Sequence, residues 1–330
     1  MKFIIITSIF EPTEAVIEFS KLSEYKLIVA GDKKSPHNWQ CNNVTFLSVD
    51  DQEGLDFSLS KVLPYNHYCR KMIGYLYAIQ NGASMIIDTD DDNIPKQNWK
   101  FPDFNGKFDC IPGDKGFINI YQHYTDDHIW PRGLPLNKIT TQYHDVFSAI
   151  SEKNVNIGIW QGLADEDPDV DAIYRLTSNK LCKFREKEPC VIEQGTLTPF
   201  NTQNTAIRKE LFPLMYLPTY VTFRFTDILR GLIAQPIMWL YGYHLGFINA
   251  TVVQKRNPHD FMVDFESELP MYKYTEKVIE LVSASIHSNQ SISDNLYNSY
   301  DALLKNDIVT DKEMKTLSAW LKDIDKLTTR

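Results

Sequence analysis

Short apolar runs alternate with helix-like segments at the start of the chain. Residues 2–8 (KFIIITS) and 25–32 (YKLIVAGD) are rich in β-branched side chains, and the segment EPTEAVIEFSKL lies between them. This pattern predicts a strand, a helix and a second strand. Residues 43–51 (NVTFLSVDD) have the same character and predict a further strand.

A longer helix is predicted by the segment NHYCRKMIGYLYAIQNG. Met72, Ile73, Leu76 and Ile79 share one face at helical spacing, and Asn81-Gly82 suits a left-handed helix end. The run ASMIID follows and predicts another strand. Strands that alternate with helices of this length are typical of an α/β fold with a mostly parallel sheet covered on both faces.

Polar residues stand where three of these predicted strands end. They are Thr7-Ser8, Gly31-Asp32-Lys33 and the run Asp90-Asp91-Asp92. In open α/β sheets, ligands bind outside the carboxyl ends of the strands. We therefore expect these residues to converge on one crevice.

The rest of the chain divides into two regions. Residues 100–200 are rich in Pro, Gly and aromatics, which predicts irregular loops and short strands with a few helices. Past residue 265 the pattern becomes helix-like, as in TEKVIELVSASIHS and TDKEMKTLSAWLKDIDKL. We expect one α/β domain over residues 1–265 and a helical C-terminal extension over residues 266–330.

Composition limits the classes of function. The 330 residues are 43% hydrophobic and carry a net charge of −9, with no Lys/Arg cluster, which argues against nucleic acid as a partner. No run reaches the roughly 18 apolar residues of a membrane span. The segment MKFIIITSIFEP is interpreted as a first strand instead of a signal peptide. Five scattered cysteines fit a reducing, cytoplasmic location.

The stretch SMIIDTDDDNIP places four carboxylates within five positions and almost no cation beside them. In an extended chain Asp88, Asp90 and Asp92 would share one face and Asp91 the other. Clustered hard oxygen ligands suit Mg²⁺ or Mn²⁺, with substrate phosphates completing the coordination shell. The alternative is a solvated turn after a strand. A metal at such a crevice suggests chemistry on a diphosphate bond, and transfer from a nucleotide sugar is the leading case.

Several motifs carry a family resemblance. In chain order they are RKMIGYLYAIQNGASMIIDTDDDNIP, IWPRGLPL, QGLADEDPDVDAIYRL, PFNTQNTAI, TFRFTDILRGLIAQ and RNPHDFMVDFESELP. Together they resemble the STELLO-type glycosyltransferase-like family and, more distantly, the reversibly glycosylated polypeptides that act on UDP-arabinose. The similarity covers roughly residues 1–270. It implies a GT-A fold and a nucleotide-sugar donor.

The resemblance also implies roles for residues around the donor. The ends of the first two strands would hold the nucleoside, with Asp32 on the uracil or ribose; a plain turn is the alternative for Asp32. Arg70 and Lys71 would reach the diphosphate, unless they are solvated helix-surface cations. Metal ligands would come from the aspartate run and a late histidine. The residues are Thr7, Ser8 and Asp32 for the nucleoside; Arg70, Lys71, Asp88, Asp91 and Arg256 for the rest of the donor; and Asp90, Asp92 and His259 for the metal.

On the acceptor side, the resemblance assigns Asp227 as the general base of an inverting enzyme, at the start of a helix near Thr226. An acid there also favours the helix dipole, which is the structural alternative, and in a retaining enzyme Asp227 would instead hold the acceptor or a sugar hydroxyl. Asp169 and Asp171 would belong to a loop over the donor sugar or acceptor, or else to an acidic turn that caps the next helix; the stretch lacks the Gly and Glu of a calcium-binding EF-hand loop. Arg132, within Trp130-Pro131-Arg132-Gly133, would shape the sugar pocket or form a packing corner.

The sequence thus predicts a Mn²⁺- or Mg²⁺-dependent glycosyltransferase. It would move a sugar from a UDP-sugar to a glycan or lipid-linked glycan in surface polysaccharide or glycoconjugate synthesis. A lipid-linked acceptor would require peripheral proximity to a membrane, although no basic amphipathic stretch indicates docking. A nucleotide-sugar mutase and a non-catalytic scaffold that assists a polysaccharide synthase stay open as alternatives.

Overall fold

The structure, a computed structural model, describes residues 1–256 and 260–328. Within them, ten strands form one sheet and two short strands form another. The strands are β1 (Lys2–Thr7), β2 (Tyr25–Ala30), β3 (Val44–Leu47), β4 (Met85–Thr89), β5 (Asn93–Pro95), β6 (Asn105–Ile111), β7 (Gly116–Phe117), β8 (Ser151–Glu166), β9 (Cys190–Ile192), β10 (Thr196–Leu197), β11 (Asn204–Arg208) and β12 (His244–Gln254). The helices are α1 (Glu14–Ser20), α2 (Val49–Gly54), α3 (Lys71–Gln80), α4 (Tyr121–Tyr124), α5 (His144–Ser148), α6 (Ala172–Thr177), α7 (Thr226–Leu240), α8 (Phe261–Ser285), α9 (Ile292–Leu304) and α10 (Asp311–Thr328).

The large sheet is mixed, in the order β3-β2-β1-β4-β11-β8-β6-β9-β12-β5. Strands β1 to β4 pair in parallel, as the alternating pattern predicts. Strand β11, however, inserts antiparallel between β4 and β8, and β12 has antiparallel neighbours in β9 and β5. The chain is therefore a mixed α/β protein with a large central sheet, and a mostly parallel sheet is not confirmed.

The parallel half of the sheet is built as its sequence indicates. The apolar core of β1 is fully buried, and α3 packs directly against it. Gly74 permits this close contact, because a Cβ atom at that position would lie 2.8 Å from Ile5 Cγ2. The predicted strand at 43–51 ends early: Ser48 accepts a hydrogen bond from the Asp51 amide and begins α2.

The longest strand, β8, lies in the region predicted to hold irregular loops, short strands and a few helices. Its first half pairs with β6 and its second half with β12, while β11 lies along its other side. Residues 157–165 are buried, so this strand crosses the centre of the molecule. Sheet pairing, and not a local sequence signal, fixes its length.

The C-terminal helices belong to the main core. Met271, Val278 and Trp320 lie in the same buried cluster as Met72 of α3 and Leu229 of α7. The boundary predicted after residue 265 falls within α8. Division of the chain into two domains stays a prediction.

Candidate functional site

A cavity of about 370 Å³ opens at the carboxyl ends of β1, β2 and β4. One wall comes from the ends of β1 and β2 together with residues 66–70, a second from the aspartate run, and a third from segments of the later strands and α7. The lining residues named in the sequence predictions are Thr7, Ser8, Asp32, Arg70, Asp90, Asp91, Asp92, Arg132, Asp169, Asp227 and Arg256. The strand ends thus converge as predicted.

Ser8 and Asp32 lie at the β1–β2 end of the cavity. The Ser8 hydroxyl donates to Asp91 Oδ2 at 2.5 Å, which ties the first strand to the aspartate run. Asp32 accepts the backbone N–H groups of Lys33 at 2.7 Å and His67 at 3.0 Å. Burial raises the pKa of Asp91, and the Ser8 hydrogen bond opposes that rise.

Asp90 and Asp92 both line the cavity and are close enough for their negative charges to repel. Burial raises the pKa of Asp90 to about 7, a rise to which Asp92 adds and which Lys71 opposes. The Asp90 side chain is still 38% exposed, so water and dissolved cations reach it. Asp92 Oδ2 accepts from Gln254 Nε2 at 3.1 Å, whereas Oδ1 is buried with no hydrogen-bond partner among the described residues.

This donor set fits a divalent cation. A positive ion would give the unpaired oxygen of Asp92 a partner and would stabilise the ionised form of Asp90. Hard oxygen ligands of this kind suit Mg²⁺ or Mn²⁺. Across residues 1–256 and 260–328 no cluster of three or more His, Cys, Asp or Glu side chains has ligand geometry. Two carboxylates alone are typical of sites in which substrate phosphates complete the shell. His259, the predicted third ligand, lies outside the described residues.

The structure corrects the predictions for Lys71 and Asp88. Both side chains are fully buried beneath the aspartate run. Lys71 Nζ donates to Asp88 Oδ1, Asp90 Oδ1 and the Thr89 carbonyl, each at 2.8 Å, which occupies its three N–H donors. Asp88 Oδ2 accepts from Tyr75 Oη and Arg230 Nη1. Neither side chain faces the cavity, because the first turn of α3 packs under the end of β4; Lys71 holds Asp90 in place instead.

Arg70, by contrast, does line the cavity. Its Nε donates to Gln52 Oε1 at 2.8 Å, and its guanidinium lies over the Tyr65 ring, 4.5 Å from the centroid. Its Nη2 has no hydrogen-bond partner within the described part of the chain. Burial lowers the pKa of Arg70. A buried guanidinium nitrogen without a partner is a candidate donor to an oxygen of a bound ligand.

Arg132 joins the two acidic residues of the third wall. It forms bidentate pairs with Asp169, at 2.8 Å for both bonds, and with Asp227, at 3.1 and 2.9 Å. Although burial alone would raise it, Arg132 and Arg224 hold the pKa of Asp169 at about 2. Asp227 lies in the first turn of α7 and borders the cavity. Its carboxylate is thus fixed in orientation beside the space for a ligand.

Arg224 and Arg256 extend this wall. Arg224 Nε lies 3.0 Å from Glu268 Oε1, and Arg256 Nη2 lies 3.4 Å from Asp264 Oδ2. Burial, with Arg224 and Arg175 nearby, lowers the pKa of Arg256 to about 10. Sequence reasoning missed Arg224, although it lies within the TFRF motif directly before Thr226.

Asp171 was predicted to lie over the donor sugar or acceptor, but it does not line the cavity. Its Oδ1 accepts from the Tyr174 amide at 2.9 Å and begins α6, and its Oδ2 accepts from Trp130 Nε1 at 2.8 Å. The side chain is fully buried, and this burial raises its pKa to about 6. Asp171 is therefore a buried helix cap, and Trp130 forms the packing corner that was the alternative for its motif.

Further lining residues were not predicted. An amide-rich loop, 201–203, contributes Asn201, Thr202 and Gln203. Three rings meet at the mouth: the Phe223 centroid lies 4.8 Å from that of Tyr68 and 6.0 Å from that of His67. Phe223 is 54% exposed. The sequence signals were the motif PFNTQNTAI for the loop and the motif TFRFTDILRGLIAQ for Phe223, which carried the resemblance without roles assigned to these residues.

Comparison with known proteins finds similarity to one family. The model of the STELLO glycosyltransferases matches residues 224–330. Two proteins of Arabidopsis thaliana, named probable glycosyltransferase STELLO2 and STELLO1, are 26% identical over 348 residues and 27% identical over 344 residues. The resemblance to the STELLO-type family is confirmed. Each alignment covers 98% of this chain but 44% of the relative, so the chain spans less than half the length of these STELLO proteins.

The region matched by the STELLO family model begins at Arg224 and includes Asp227, Arg256 and the C-terminal helices. A mycobacterial protein of solved structure aligns over 87% of this chain and 76% of its own, with a TM-score of 0.41 and 10% identity. That likeness is too weak to assign a fold. None of the described helices is both long and apolar enough to cross a bilayer.

Proposed function

We propose that this chain is a metal-dependent glycosyltransferase of GT-A fold that takes its sugar from a nucleotide-sugar donor, with UDP-sugars the first candidates. The observation that supports this most directly is the shared cavity. It places the carboxylates of Asp90 and Asp92 and the carboxylate of Asp227 around one space at the ends of β1, β2 and β4. The names of the two plant relatives support the same class of reaction.

The donor would lie along the first two walls. Ser8 and Asp32 border the end where the nucleoside would bind, Arg70 would reach the diphosphate, and Asp90 and Asp92 would hold Mn²⁺ or Mg²⁺. When bound, the ion would neutralise the charge that develops on the leaving diphosphate. The orphaned oxygen of Asp92 supports this assignment, because an unpaired buried acceptor is costly without a cation.

Asp227 would act as the general base. Arg132 donates one hydrogen bond to each of its oxygens, and each oxygen keeps a further lone pair to accept a proton. The acceptor hydroxyl would lose its proton to Asp227 as its oxygen bonds to the anomeric carbon. The bond from that carbon to the diphosphate oxygen breaks at the same time, and the nucleoside diphosphate leaves with the electron pair. One such displacement inverts the anomeric centre.

Calorimetry of UDP with and without Mn²⁺ tests the donor site. We expect UDP to bind only with Mn²⁺, and binding to vanish in the double variant Asp90→Asn/Asp92→Asn. The matched control, Asp145→Asn/Asp311→Asn, removes the same charge from exposed positions and should bind like the wild type. UDP binding without metal, or none at all, would contradict the proposal and favour the scaffold.

A donor screen identifies the reaction. We expect release of UDP from one nucleotide sugar, faster when a glycan or lipid-linked glycan is present. Interconversion of sugar ring forms without release of UDP would identify a mutase instead. The acceptor, the role in surface polysaccharide synthesis and the cytoplasmic location stay predictions of the sequence.

A further inference from the structure

Helix α10 places a buried carboxylate behind one wall of the cavity. Glu313 is fully buried and accepts the backbone N–H groups of Thr219 at 2.9 Å and Tyr220 at 2.6 Å, together with the Tyr216 hydroxyl. Burial raises the pKa of Glu313, and these three hydrogen bonds oppose the rise. Residues 216–220 lead directly into Phe223, Arg224 and Asp227 of the third wall.

About three turns later, the same helix contacts the segment that leads into the first wall. Asp323 is buried and accepts the backbone N–H groups of Ser58 at 2.9 Å and Leu59 at 2.8 Å. The segment that begins there runs to residues 66–70 of the first wall, among which Asn66, His67, Tyr68 and Arg70 line the cavity. One helix is therefore hydrogen-bonded to the backbone of the two segments that lead into these walls.

Simple docking of α10 does not require these acids. Leu317 and Trp320 already bury its apolar face in the core. Burying a carboxylate is costly unless it is fully hydrogen-bonded, and bonds from ionised groups to backbone amides hold a segment within a narrow range of positions. The two walls approach each other at the mouth, where Phe223 packs edge-on against Tyr68 with ring centroids 4.8 Å apart. A small shift of either segment would change the width of the cavity.

We propose that Glu313 and Asp323 are positioning residues for the glycosyl transfer proposed above, on which this inference rests. Glu313 sets the placement of Asp227 relative to the acceptor hydroxyl. Asp323 sets the placement of the wall that carries Arg70 and thereby the affinity for the nucleotide. The match of the STELLO family model to residues 224–330 as one unit supports the link between α10 and the site.

The test compares Glu313→Gln and Asp323→Asn with Asp311→Asn, an exposed acid on the same helix. We expect Glu313→Gln to lower kcat at least about tenfold with UDP affinity within twofold, because misplacement of a catalytic group by about 1 Å can cost about 100-fold in rate. Asp323→Asn should instead weaken UDP binding by about tenfold. If the two acids served folding alone, the variants would not change kcat and UDP affinity separately. Equal changes in both variants, or changes no larger than in Asp311→Asn, would overturn the inference.

Hydrogen exchange gives a readout that needs no activity. The amides of Thr219 and Tyr220 should exchange faster in Glu313→Gln only, and those of Ser58 and Leu59 in Asp323→Asn only. Unchanged exchange would overturn the positioning role even if UDP binds. If wild-type protein binds no UDP, the proposed function fails, and exchange alone decides whether the helix orders the walls. Should Glu313→Gln not fold, Tyr216→Phe removes one of the three bonds and should lower kcat in the same direction.

Discussion

Lys71 and Asp90 form an ion pair with an Nζ–Oδ1 distance of 2.8 Å, in which the lysine is fully buried and the carboxylate is 38% exposed to the cavity. The pair therefore joins the core to the candidate metal site. Lys71 also bonds Asp88, which is buried against Arg230, so the position of Asp90 depends on a network of charges beneath it. This network explains how a run of acids can end a core strand.

Removal of Lys71 should destabilise the fold. In Lys71→Met the buried Asp88 keeps only Arg230 as a charge partner, so the loss should approach about 3 kcal/mol, the lower end of the cost of breaking a buried pair. Urea unfolding followed by circular dichroism measures this loss. The control Lys107→Met breaks the exposed pair with Glu152 and should cost less than about 1 kcal/mol. An equal decrease in the free energy of unfolding in both variants would show that the buried network stabilises the fold no more than a surface ion pair does.

The contrast between Lys71 and its neighbour Arg70 shows what sequence could and could not predict. The helix, the strand after it and the convergence of Ser8, Asp32 and the aspartate run on one cavity follow from local apolar periods and strand ends, and the structure confirms them. Which of two adjacent cations faces the cavity depends on how α3 is rotated against β1. A motif does not contain that information.

The direction in which neighbouring strands pair could not be predicted from the sequence either. Strand β11 follows β8 by almost forty residues, yet it lies between β8 and β4 and reverses the direction of the sheet there. Asp171 and Arg224 illustrate the same limit at the site. Both stand in motifs that resemble the family. The cap formed by Asp171 is local and was the open alternative, but its burial against Trp130 and the place of Arg224 in the cavity wall depend on contacts between residues distant in sequence.

Metal affinity should depend on pH. The raised pKa of Asp90, about 7, leaves much of it protonated below neutrality, and a divalent ion binds only the ionised carboxylate. The apparent affinity for Mn²⁺ should therefore rise between pH 6 and 8, by up to about tenfold per pH unit below the pKa. Calorimetry in buffers of different ionisation enthalpy would detect the released proton. Asp90→Asn should remove this pH dependence, and a flat profile in wild-type protein would contradict the assignment.

Substitution of the proposed base should separate chemistry from binding. Asp227→Asn cannot accept the proton, so transfer should fall about 10²–10⁴-fold, the usual contribution of general-base catalysis. UDP affinity should stay close to wild type, because the proposed role of Asp227 is to contact the acceptor and not the nucleotide. Single-turnover transfer and calorimetry measure the two effects. Transfer at a near wild-type rate would remove Asp227 as the base and favour a retaining reaction in which it holds a sugar hydroxyl.

Arg132 should contribute stability that depends on pH. It holds the pKa of Asp169 at about 2 against the effect of burial, below the usual value of 3.8, so the pair stabilises the fold above pH 4 and loses this contribution as pH falls toward 2. In Arg132→Met, Asp169 and Asp227 stay buried without this partner, and the loss should reach about 3–5 kcal/mol at pH 7.

Acid should reduce the stability lost in Arg132→Met. Protonation removes the cost of the unpaired carboxylates in the variant, and it breaks the ion pair in wild-type protein. The difference in unfolding free energy between the two proteins should therefore narrow below about pH 5. Urea titrations at several pH values measure it. The control Arg185→Met breaks an exposed pair with Asp126 and should show a small difference at every pH. A difference for Arg132→Met that does not change between pH 7 and 4 would show that the arginine acts through packing instead of charge.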